Sequence, residues 1–206
     1  MRKHLALSIL AVAILLIVPW GMQVTSPAAA ERTTSKAYFA GGCFWCMEEA
    51  FEKVEGVLSA TSGYMGGTVP NPSYEAVSAG RTGHAESVEV VYDPAKVSYQ
   101  KLLDAFWHNV DPVTPNAQFC DHGSQYRSAI FFQTDEEKRS SDASKQAIEQ
   151  SKRFNEPIVT QIVMASQFYP AEEYHQDYYK KNPFRYKVYK YNCGRAKRLE
   201  ELWGNP

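Results

Sequence analysis

The sequence predicts an α+β fold, because strand-like runs alternate with amphipathic helical runs from about residue 36 onward and no internal repeat is present. The chain has 206 residues, of which 44% are hydrophobic and 22% charged, so we expect one domain with a substantial core. The formal net charge is −1 and no Lys/Arg stripe is present. We therefore expect no nucleic-acid partner.

The first 30 residues are predicted to lie outside this fold. A basic start, "MRKH", precedes the apolar run "LALSILAVAILLIV", and "SPAAA" ends in an A-x-A pattern before "ERTT". These features are typical of a secretory signal peptide, here cut after Ala30. The alternative is an uncleaved membrane anchor, although residues 5–18 are short for a span of about 20 residues. We expect an exported protein, periplasmic or extracellular, with residues 31–206 as a single domain.

The four cysteines all lie in the predicted mature chain: Cys43, Cys46, Cys120 and Cys193. An oxidising compartment permits structural disulfides, but a chain of this length does not need them to stabilise its core. A redox role and a metal-binding role therefore both stay open.

The first elements place a cysteine at a helix start. "KAYFA" predicts a short buried strand, "GG" a turn, and "CFWCMEEAFEKV" a helix that ends at Gly56. Cys43 is then at the helix N-terminus, where free N–H groups and the helix dipole favour a thiolate. The strand "VLSATSGYM" and a polar loop with a short helical piece follow.

The run "AESVEVVYDP" is the clearest strand in the chain. Its alternation puts Val88, Val90 and Tyr92 on one apolar face, and the period of two residues places Glu86 on that same face. A carboxyl group in an apolar setting has a raised pKa and keeps a proton that it can donate near neutral pH.

The remaining elements continue the alternation. Ser98 begins the helix "SYQKLLDAFWHNV", and the long connection "DPVTPNAQFCDHGSQY" leads to the strand "RSAIFF". Thr134 and Glu137 form a capping box for a polar helix that runs to about Lys152. The strand "PIVTQIVMA" and a helix in "YPAEEYHQDYYKKNP" follow. Cys193 lies in a predicted flexible approach to a terminal helix.

These pieces combine into a reactive site. A thiolate at Cys43 beside a protonated Glu86 suits a reduction or an acyl transfer. Phe44 and Trp45 flank the cysteine and could form an apolar pocket for a small alkyl or thioether-derived group, since sulfur and methyl contacts with rings are favourable. For Phe44, a place in the core is an equally good interpretation.

Six motifs, taken in order, resemble those of the A-type peptide methionine sulfoxide reductases. They are "GCFWC", "GYMGGTVPNPSYEAV", "TGHAESVEVVYDP", "FCDHGSQYRSAIF", "YPAEEYHQDYYKKNP" and "YNCGRAKRLEELWG", which together cover most of residues 37–204. The resemblance implies a two-layer α+β sandwich around a mixed β-sheet, with a ferredoxin-like core elaborated by helices and long loops. It also implies that residues 31–206 are a single catalytic reductase domain with a mobile C-terminal cysteine tail.

The resemblance also implies the reaction and the roles of individual residues. Cys43 attacks the sulfur of a methionine-S-sulfoxide, free or in a protein, while Glu86 protonates the oxygen, which leaves Cys43 as a sulfenic acid. Phe44 and Trp45 hold the S-methyl group. Three further residues match positions that bind or polarise the oxygen: Tyr74, Asp121 and Tyr126.

A second thiol must then resolve the sulfenic acid to a disulfide that a thioredoxin-type partner reduces. Cys193 is the first choice, because a mobile tail can reach Cys43. Cys46 is the alternative, although closing a disulfide within one helical turn strains the helix. No metal or cofactor is expected, and a membrane is involved only if the N-terminal segment stays uncleaved.

Two other classes of protein stay open. A zinc-binding module would use Cys43, Cys46, Cys120 and His122, but no second compact ligand pair follows the C-x-x-C motif. A thioredoxin-like disulfide carrier would have tryptophan before its first cysteine, whereas Trp45 stands between the two. Without further support, Cys120 is interpreted as a loop cysteine and His84, His122 and His175 as structural histidines.

Overall fold

The computed structural model describes residues 33–204. These residues form one compact unit. The predicted signal peptide or anchor lies outside the described residues. Within those residues, no helix combines the length and hydropathy needed to cross a membrane.

Residues 33–204 contain eight strands and seven helices. The strands are β1 (Ser35–Gly41), β2 (Val57–Met65), β3 (Ala85–Tyr92), β4 (Ala117–Gln118), β5 (Asp121–His122), β6 (Ser128–Phe132), β7 (Gln161–Met164) and β8 (Tyr169–Pro170). The helices are α1 (Phe44–Glu52), α2 (Tyr74–Ser78), α3 (Tyr99–Trp107), α4 (Asp135–Gln150), α5 (Tyr178–Lys181), α6 (Pro183–Asn192) and α7 (Arg195–Trp203). Two short 3-10 turns occupy Ser124–Tyr126 and Glu173–His175.

The described residues form a six-stranded sheet in the order β7-β6-β1-β3-β2-β8. All neighbours pair antiparallel except β6 and β7, which are parallel. Strands β4 and β5 form a separate small hairpin in the long connection before β6. The predicted α+β fold with a mixed sheet is confirmed.

Helices α1 and α3 cover one face of the sheet and form the main core with it. Phe39 of β1 lies at the centre, with its ring stacked 4.8 Å from Phe51 of α1 and 5.3 Å from Phe106 of α3. Val88 and Val90 of β3 contribute to the same core, as their alternation predicts. Glu86 therefore points toward α1.

The predicted helix starts of α3 and α4 are confirmed. The Ser98 hydroxyl accepts from the Lys101 amide, and the Thr134 hydroxyl accepts from the Glu137 amide. The Glu137 carboxylate, in turn, accepts from the amide of Gln133, one residue earlier than a capping box requires. Each cap satisfies an amide that has no partner within its helix.

The predicted helix in residues 169–183 is wrong over its first half. Pro170 pairs with β2, which makes this segment an edge strand. The Gln176 side chain makes two hydrogen bonds to the backbone of Ser62. It accepts from the Ser62 N–H and donates to the Ser62 C=O, each at 2.9 Å. Asp177 has a left-handed backbone with φ 54°, so a regular helix begins only after it.

The predicted flexible approach to the terminal helix is also wrong. Residues Pro183–Asn192 form α6, and Cys193 is its C-cap. Gly194 turns the chain with a left-handed φ of 68°, and α7 begins at Arg195, which is buried. Cys193 therefore sits between two ordered helices.

We expect Phe51→Ala to lower the free energy of unfolding by about 3 to 5 kcal/mol, because it removes a buried ring and leaves a cavity against Phe39. Urea denaturation monitored by circular dichroism measures this change. The matched control is Leu58→Ala, whose side chain is 44% exposed and which should change stability by about 0.5 kcal/mol or less. Equal losses in the two variants would contradict this description of the core.

Candidate active site

A cavity lies where α1 begins, beside the start of β3. It is lined by Cys43, Phe44, Trp45, Tyr74, Glu86, Asp121, Tyr126 and Tyr189. Seven of these eight residues are the predicted nucleophile, acid, oxygen-binding and methyl-pocket residues. The structure thus brings together side chains from segments that are far apart in the sequence.

Two glycines allow Cys43 to reach its position. A Cβ on Gly41 would lie 2.5 Å from the Met47 sulfur, and one on Gly42, whose φ is +78°, would lie 2.4 Å from Gln118. Cys43 is the N-cap of α1, as the sequence predicts. The helix start and the tight turn together direct its sulfur into the cavity.

Glu86 is a buried acid beside the cysteine. Its side chain is 3% exposed, and its Oε2 accepts from the Phe44 amide at 3.0 Å. Burial raises the pKa of Glu86 to about 8, although the hydrogen bond from Phe44 opposes the change. The carboxyl is therefore largely protonated at neutral pH, as expected from the strand pattern.

Cys43 and Cys46 are both free and buried, and their sulfur atoms interact directly. Burial and the adjacent Cys46 raise the pKa of Cys43. Hydrogen bonding from Cys43, together with the charge of Arg195, lowers the pKa of Cys46 to about 6. The helix-start argument favours the thiolate at Cys43, but the structure stabilises it at Cys46, because the hydrogen bond from Cys43 and the charge of Arg195 lower the pKa of that thiol.

Three tyrosines line the cavity around the Cys43 sulfur. Burial and the nearby Glu86 raise the pKa of Tyr74 to about 12 and also raise that of Tyr126, so both keep a hydroxyl proton to donate. The Tyr189 hydroxyl interacts with the Cys43 sulfur and donates to Asp121 Oδ2 at 2.6 Å. Burial raises the pKa of Asp121.

Phe44 and Trp45 form an aromatic wall of the cavity. Phe44 is buried in the main core, and it also lines the cavity. Trp45 stacks on Tyr178 with ring centroids 3.8 Å apart, and its Nε1 donates to His175 Nδ1 at 3.1 Å. His175 therefore has a definite structural role, which is to fix the tryptophan ring.

The other two cysteines are bonded to each other, since a disulfide joins Cys120 and Cys193. The sequence favours Cys193 as the thiol that pairs with Cys43 during the reaction. In this structure Cys193 is bonded to Cys120 instead. The zinc-binding alternative also loses support, because Cys120 is engaged in this bond. Within residues 33–204, the groups that could hold a metal ion include neither Cys43 nor Cys46.

Sequence reasoning missed three residues near the reacting sulfur atoms. Tyr186 contacts Cys46, Tyr189 lines the cavity, and Arg195 is a buried cation whose charge acts on Cys46. The two tyrosines are three residues apart on α6, which places them on one face of that helix. The spacing of the tyrosines in "YKVY" indicates this shared face only if the segment is helical, and the segment was predicted to be flexible.

Comparison with known proteins identifies the chain's relatives. Residues 35–206 match the family model described as peptide methionine sulfoxide reductase. Peptide methionine sulfoxide reductase MsrA of Halalkalibacterium halodurans is 47% identical over 174 residues, which cover 84% of this chain and 99% of that protein.

Two solved structures share the fold. Methionine sulfoxide reductase A of Corynebacterium diphtheriae aligns with a TM-score of 0.68 and 34% identity, covering 75% of this chain and 77% of that one. Reduced Mxr1 from Saccharomyces cerevisiae aligns with a TM-score of 0.68 and 33% identity, covering 73% of this chain and 87% of that one.

We expect the ultraviolet absorbance of a thiolate to appear with a midpoint near pH 6 when the protein is titrated with its disulfide intact, because the pKa of Cys46 is about 6. Cys46→Ser should move that midpoint above the range of an ordinary thiol, since Cys43 alone is buried. In Cys43→Ser, Cys46 keeps the nearby charge of Arg195 but loses the hydrogen bond from Cys43. Its titration midpoint should therefore lie between those of the native protein and of Cys46→Ser. An unchanged midpoint in Cys46→Ser would show that the thiolate is on Cys43.

Proposed function

The chain belongs to the peptide methionine sulfoxide reductases, oxidoreductases that reduce methionine sulfoxide to methionine, and we propose that Cys43 and Glu86 carry out the reduction in the cavity beside α1. The observation that carries this proposal is the hydrogen bond from the Phe44 amide to Glu86, which holds a protonated acid next to the nucleophile. Both groups face one small cavity with an aromatic wall.

The substrate binds with its methyl group against Phe44 and Trp45. Methyl and sulfur groups interact favourably with aromatic rings, and Tyr178 and His175 hold the Trp45 ring in place. The oxygen faces Glu86, Tyr74 and Tyr126, three protonated groups of the cavity. The family resemblance implies that the substrate is the S epimer at sulfur, and we assign that form.

The reaction begins with a proton shift within the cysteine pair. As substrate enters, Cys43 passes its proton to the Cys46 thiolate and becomes the nucleophile. It attacks the sulfoxide sulfur, while Glu86 protonates the oxygen, and the tyrosine hydroxyls stabilise the developing charge. The bond between the substrate sulfur and its oxygen then breaks, the hydroxyl moves to the Cys43 sulfur, and the temporary bond between the two sulfur atoms breaks. Methionine leaves with two more electrons on its sulfur, and Cys43 carries the oxygen as a sulfenic acid.

We assign Cys46 as the thiol that first resolves this sulfenic acid. Its sulfur already contacts Cys43, and attack on the Cys43 sulfur forms a Cys43–Cys46 disulfide and releases water. The expected helix strain is reduced, because Cys43 is an N-cap with φ −50° and ψ 116° rather than a helical residue. Cys193, the first choice from the sequence, is bonded to Cys120 in this state.

A dithiol reductant of the thioredoxin type completes the cycle. The oxidised enzyme holds a disulfide, and thiol–disulfide exchange with a partner's dithiol returns it to the reduced form. Free methionine sulfoxide and oxidised proteins are both substrates in this proposal, because one side chain fills the cavity and its main chain lies outside.

We also propose that the protein is exported. The support is the N-terminal sequence alone, in which a basic start, an apolar run and "SPAAA" have the order of a signal peptide. N-terminal sequencing of the natural protein tests this. A mature chain that starts at Glu31 agrees with cleavage, and a chain that keeps residue 1 and fractionates with membranes indicates the anchor.

We expect Cys43→Ser to abolish methionine formation from a dabsylated methionine-S-sulfoxide, because no other thiol in the described chain lies at the helix start beside Glu86. Chromatography of the dabsylated product measures the reaction with dithiothreitol as reductant. The matched control is Cys46→Ser, which keeps the nucleophile.

In Cys46→Ser, the first turnover should survive and the sulfenic acid on Cys43 should accumulate, where a dimedone label and mass mapping detect it. Turnover by Cys43→Ser would contradict the nucleophile assignment. If Cys46→Ser turns over repeatedly and no dimedone-labelled Cys43 accumulates, the resolving role of Cys46 would be contradicted.

A further inference from the structure

We propose that Glu172 is a positioning residue for the reduction, because its carboxylate ties Tyr74, on the oxygen side of the cavity, to the strand that lies beside Glu86. This inference rests on the proposed function, in which the substrate oxygen faces Tyr74. Glu172 is not one of the residues that line the cavity, so it acts through the residues that it holds.

The Glu172 carboxylate joins two elements of the fold. Its Oε1 accepts a hydrogen bond from the Tyr74 amide at 2.9 Å, and its Oε2 accepts one from the Tyr64 hydroxyl at 2.8 Å. Tyr74 is the first residue of α2, whereas Tyr64 lies in β2. One side chain therefore sets the distance between this short helix and the sheet.

Tyr64 is the fixed end of this connection. Its side chain is fully buried in the main core, and the register of β2 and β3 pairs it with Glu86. Directly paired residues of an antiparallel sheet have their side chains on the same face. Tyr64 and Glu86 are therefore neighbours, and two hydrogen bonds tie Tyr74 to the strand pair that carries the acid.

Tyr74 is the end that needs support. Helix α2 has five residues, of which only Val77 is buried, and a helix of that length is not stable without contacts to the rest of the fold. At the far end of α2, the Gln125 side chain donates to the Ser78 carbonyl at 2.8 Å. The end that carries Tyr74 has its corresponding contact in Glu172.

Glu172 holds its two partners as an anion. Burial favours the protonated carboxyl group, but the hydrogen bonds from the Tyr74 amide and the Tyr64 hydroxyl outweigh it and lower the pKa of Glu172. Hydrogen bonds to a charged acceptor are shorter and stronger than those between neutral groups. The connection is therefore intact at the neutral pH at which Glu86 keeps its proton.

The turn that begins at Glu172 also supports the methyl side of the cavity. The Glu172 carbonyl accepts from the His175 amide at 2.9 Å, and His175 in turn accepts from the Trp45 ring. The His175 ring centroid lies 4.3 Å from that of Tyr74. Loss of the Glu172 carboxylate should release Tyr74 while His175 still holds Trp45, so the two sides of the cavity can be tested separately.

The competing explanation is that Glu172 stabilises the fold and nothing more. A stabilising residue changes the fraction of enzyme that is folded. A positioning residue changes the rate of the folded enzyme, and it does so only while the Tyr74 hydroxyl is present. All variants are therefore made in the full-length protein that also carries Tyr126→Phe, because Tyr126 faces the same oxygen and would compensate for a displaced Tyr74.

In this background, we expect Glu172→Ala to lower the single-turnover rate at saturating dabsylated methionine-S-sulfoxide about tenfold or more, because a displaced hydroxyl no longer stabilises charge on the oxygen. The substrate concentration that gives half the maximal rate should change about twofold or less, since the aromatic wall still holds the methyl group. Glu172→Gln should stay within about threefold of the background rate, because an amide keeps an acceptor for the Tyr74 N–H and a donor for the Tyr64 oxygen. Glu173→Ala removes an exposed neighbouring carboxylate, and this matched control should leave the rate unchanged.

A double-mutant cycle with Tyr74→Phe separates positioning from stability. Glu172→Ala should cost about tenfold while the Tyr74 hydroxyl is present and about twofold or less in Tyr74→Phe, because no hydroxyl is left to position. Tyr64→Phe is a second variant, which keeps the buried ring and removes one of the two donors to Glu172. It should slow the reaction about threefold, again only while the Tyr74 hydroxyl is present. Urea denaturation of each variant gives the folded fraction by which the rates are corrected.

The contrary outcomes are distinct. Equal slowing by Glu172→Ala with and without the Tyr74 hydroxyl would overturn the positioning role, as would a Glu172→Gln variant as slow as Glu172→Ala. An unchanged rate in Glu172→Ala would also overturn it and would leave the reductase function intact. If Tyr74→Phe itself does not slow the Tyr126→Phe enzyme, the failure lies in the proposed function, which places Tyr74 at the substrate oxygen.

Discussion

The hydrogen bond from the Phe44 amide to Glu86 is the interaction on which the site depends. It joins the first turn of α1 to the beginning of β3, so the nucleophile at the helix start and the acid on the strand keep one relative position. It also uses an amide that has no partner within the helix. The packing of Phe51 and Phe39 beneath it fixes the distance between α1 and the sheet. The geometry of the reaction is therefore a consequence of how one helix lies on one sheet.

Burial sets the protonation states that the chemistry requires. Glu86 is neutral near pH 7 because its charged form is desolvated, and the tyrosines around the cavity keep their protons for the same reason. Cys46 carries the negative charge of the cysteine pair, because the hydrogen bond from Cys43 and the charge of the buried Arg195 lower its pKa. Arg195 also anchors α7, so a residue that stabilises the fold contributes directly to the electrostatics of the site. In the proposed mechanism, one proton shift between two adjacent sulfur atoms activates Cys43.

Local patterns in the sequence predicted the centre of the site, and long-range contacts determined the rest. The strand period placed Glu86, and the helix start placed Cys43, because each depends only on neighbouring residues. The partition of charge within the cysteine pair could not be predicted, since Arg195 reaches it from the far end of the chain. The Cys120–Cys193 bond likewise joins two segments whose proximity no local pattern shows. The helix predicted to begin near Pro170 does not form there, because the Gln176 side chain binds the backbone of Ser62 in β2.

The central claim is that a buried, protonated Glu86 supplies the proton in the sulfoxide step, and a single-turnover pH profile tests it most directly. Methionine formation is measured after rapid mixing of reduced enzyme with substrate, in the native protein and in Glu86→Gln. The native rate should fall as pH rises through about 8, because the carboxyl loses the proton that it donates. The variant keeps an acceptor for the Phe44 amide, and it should react about 100-fold or more slowly without that decline. Two profiles of the same shape and height would contradict the account.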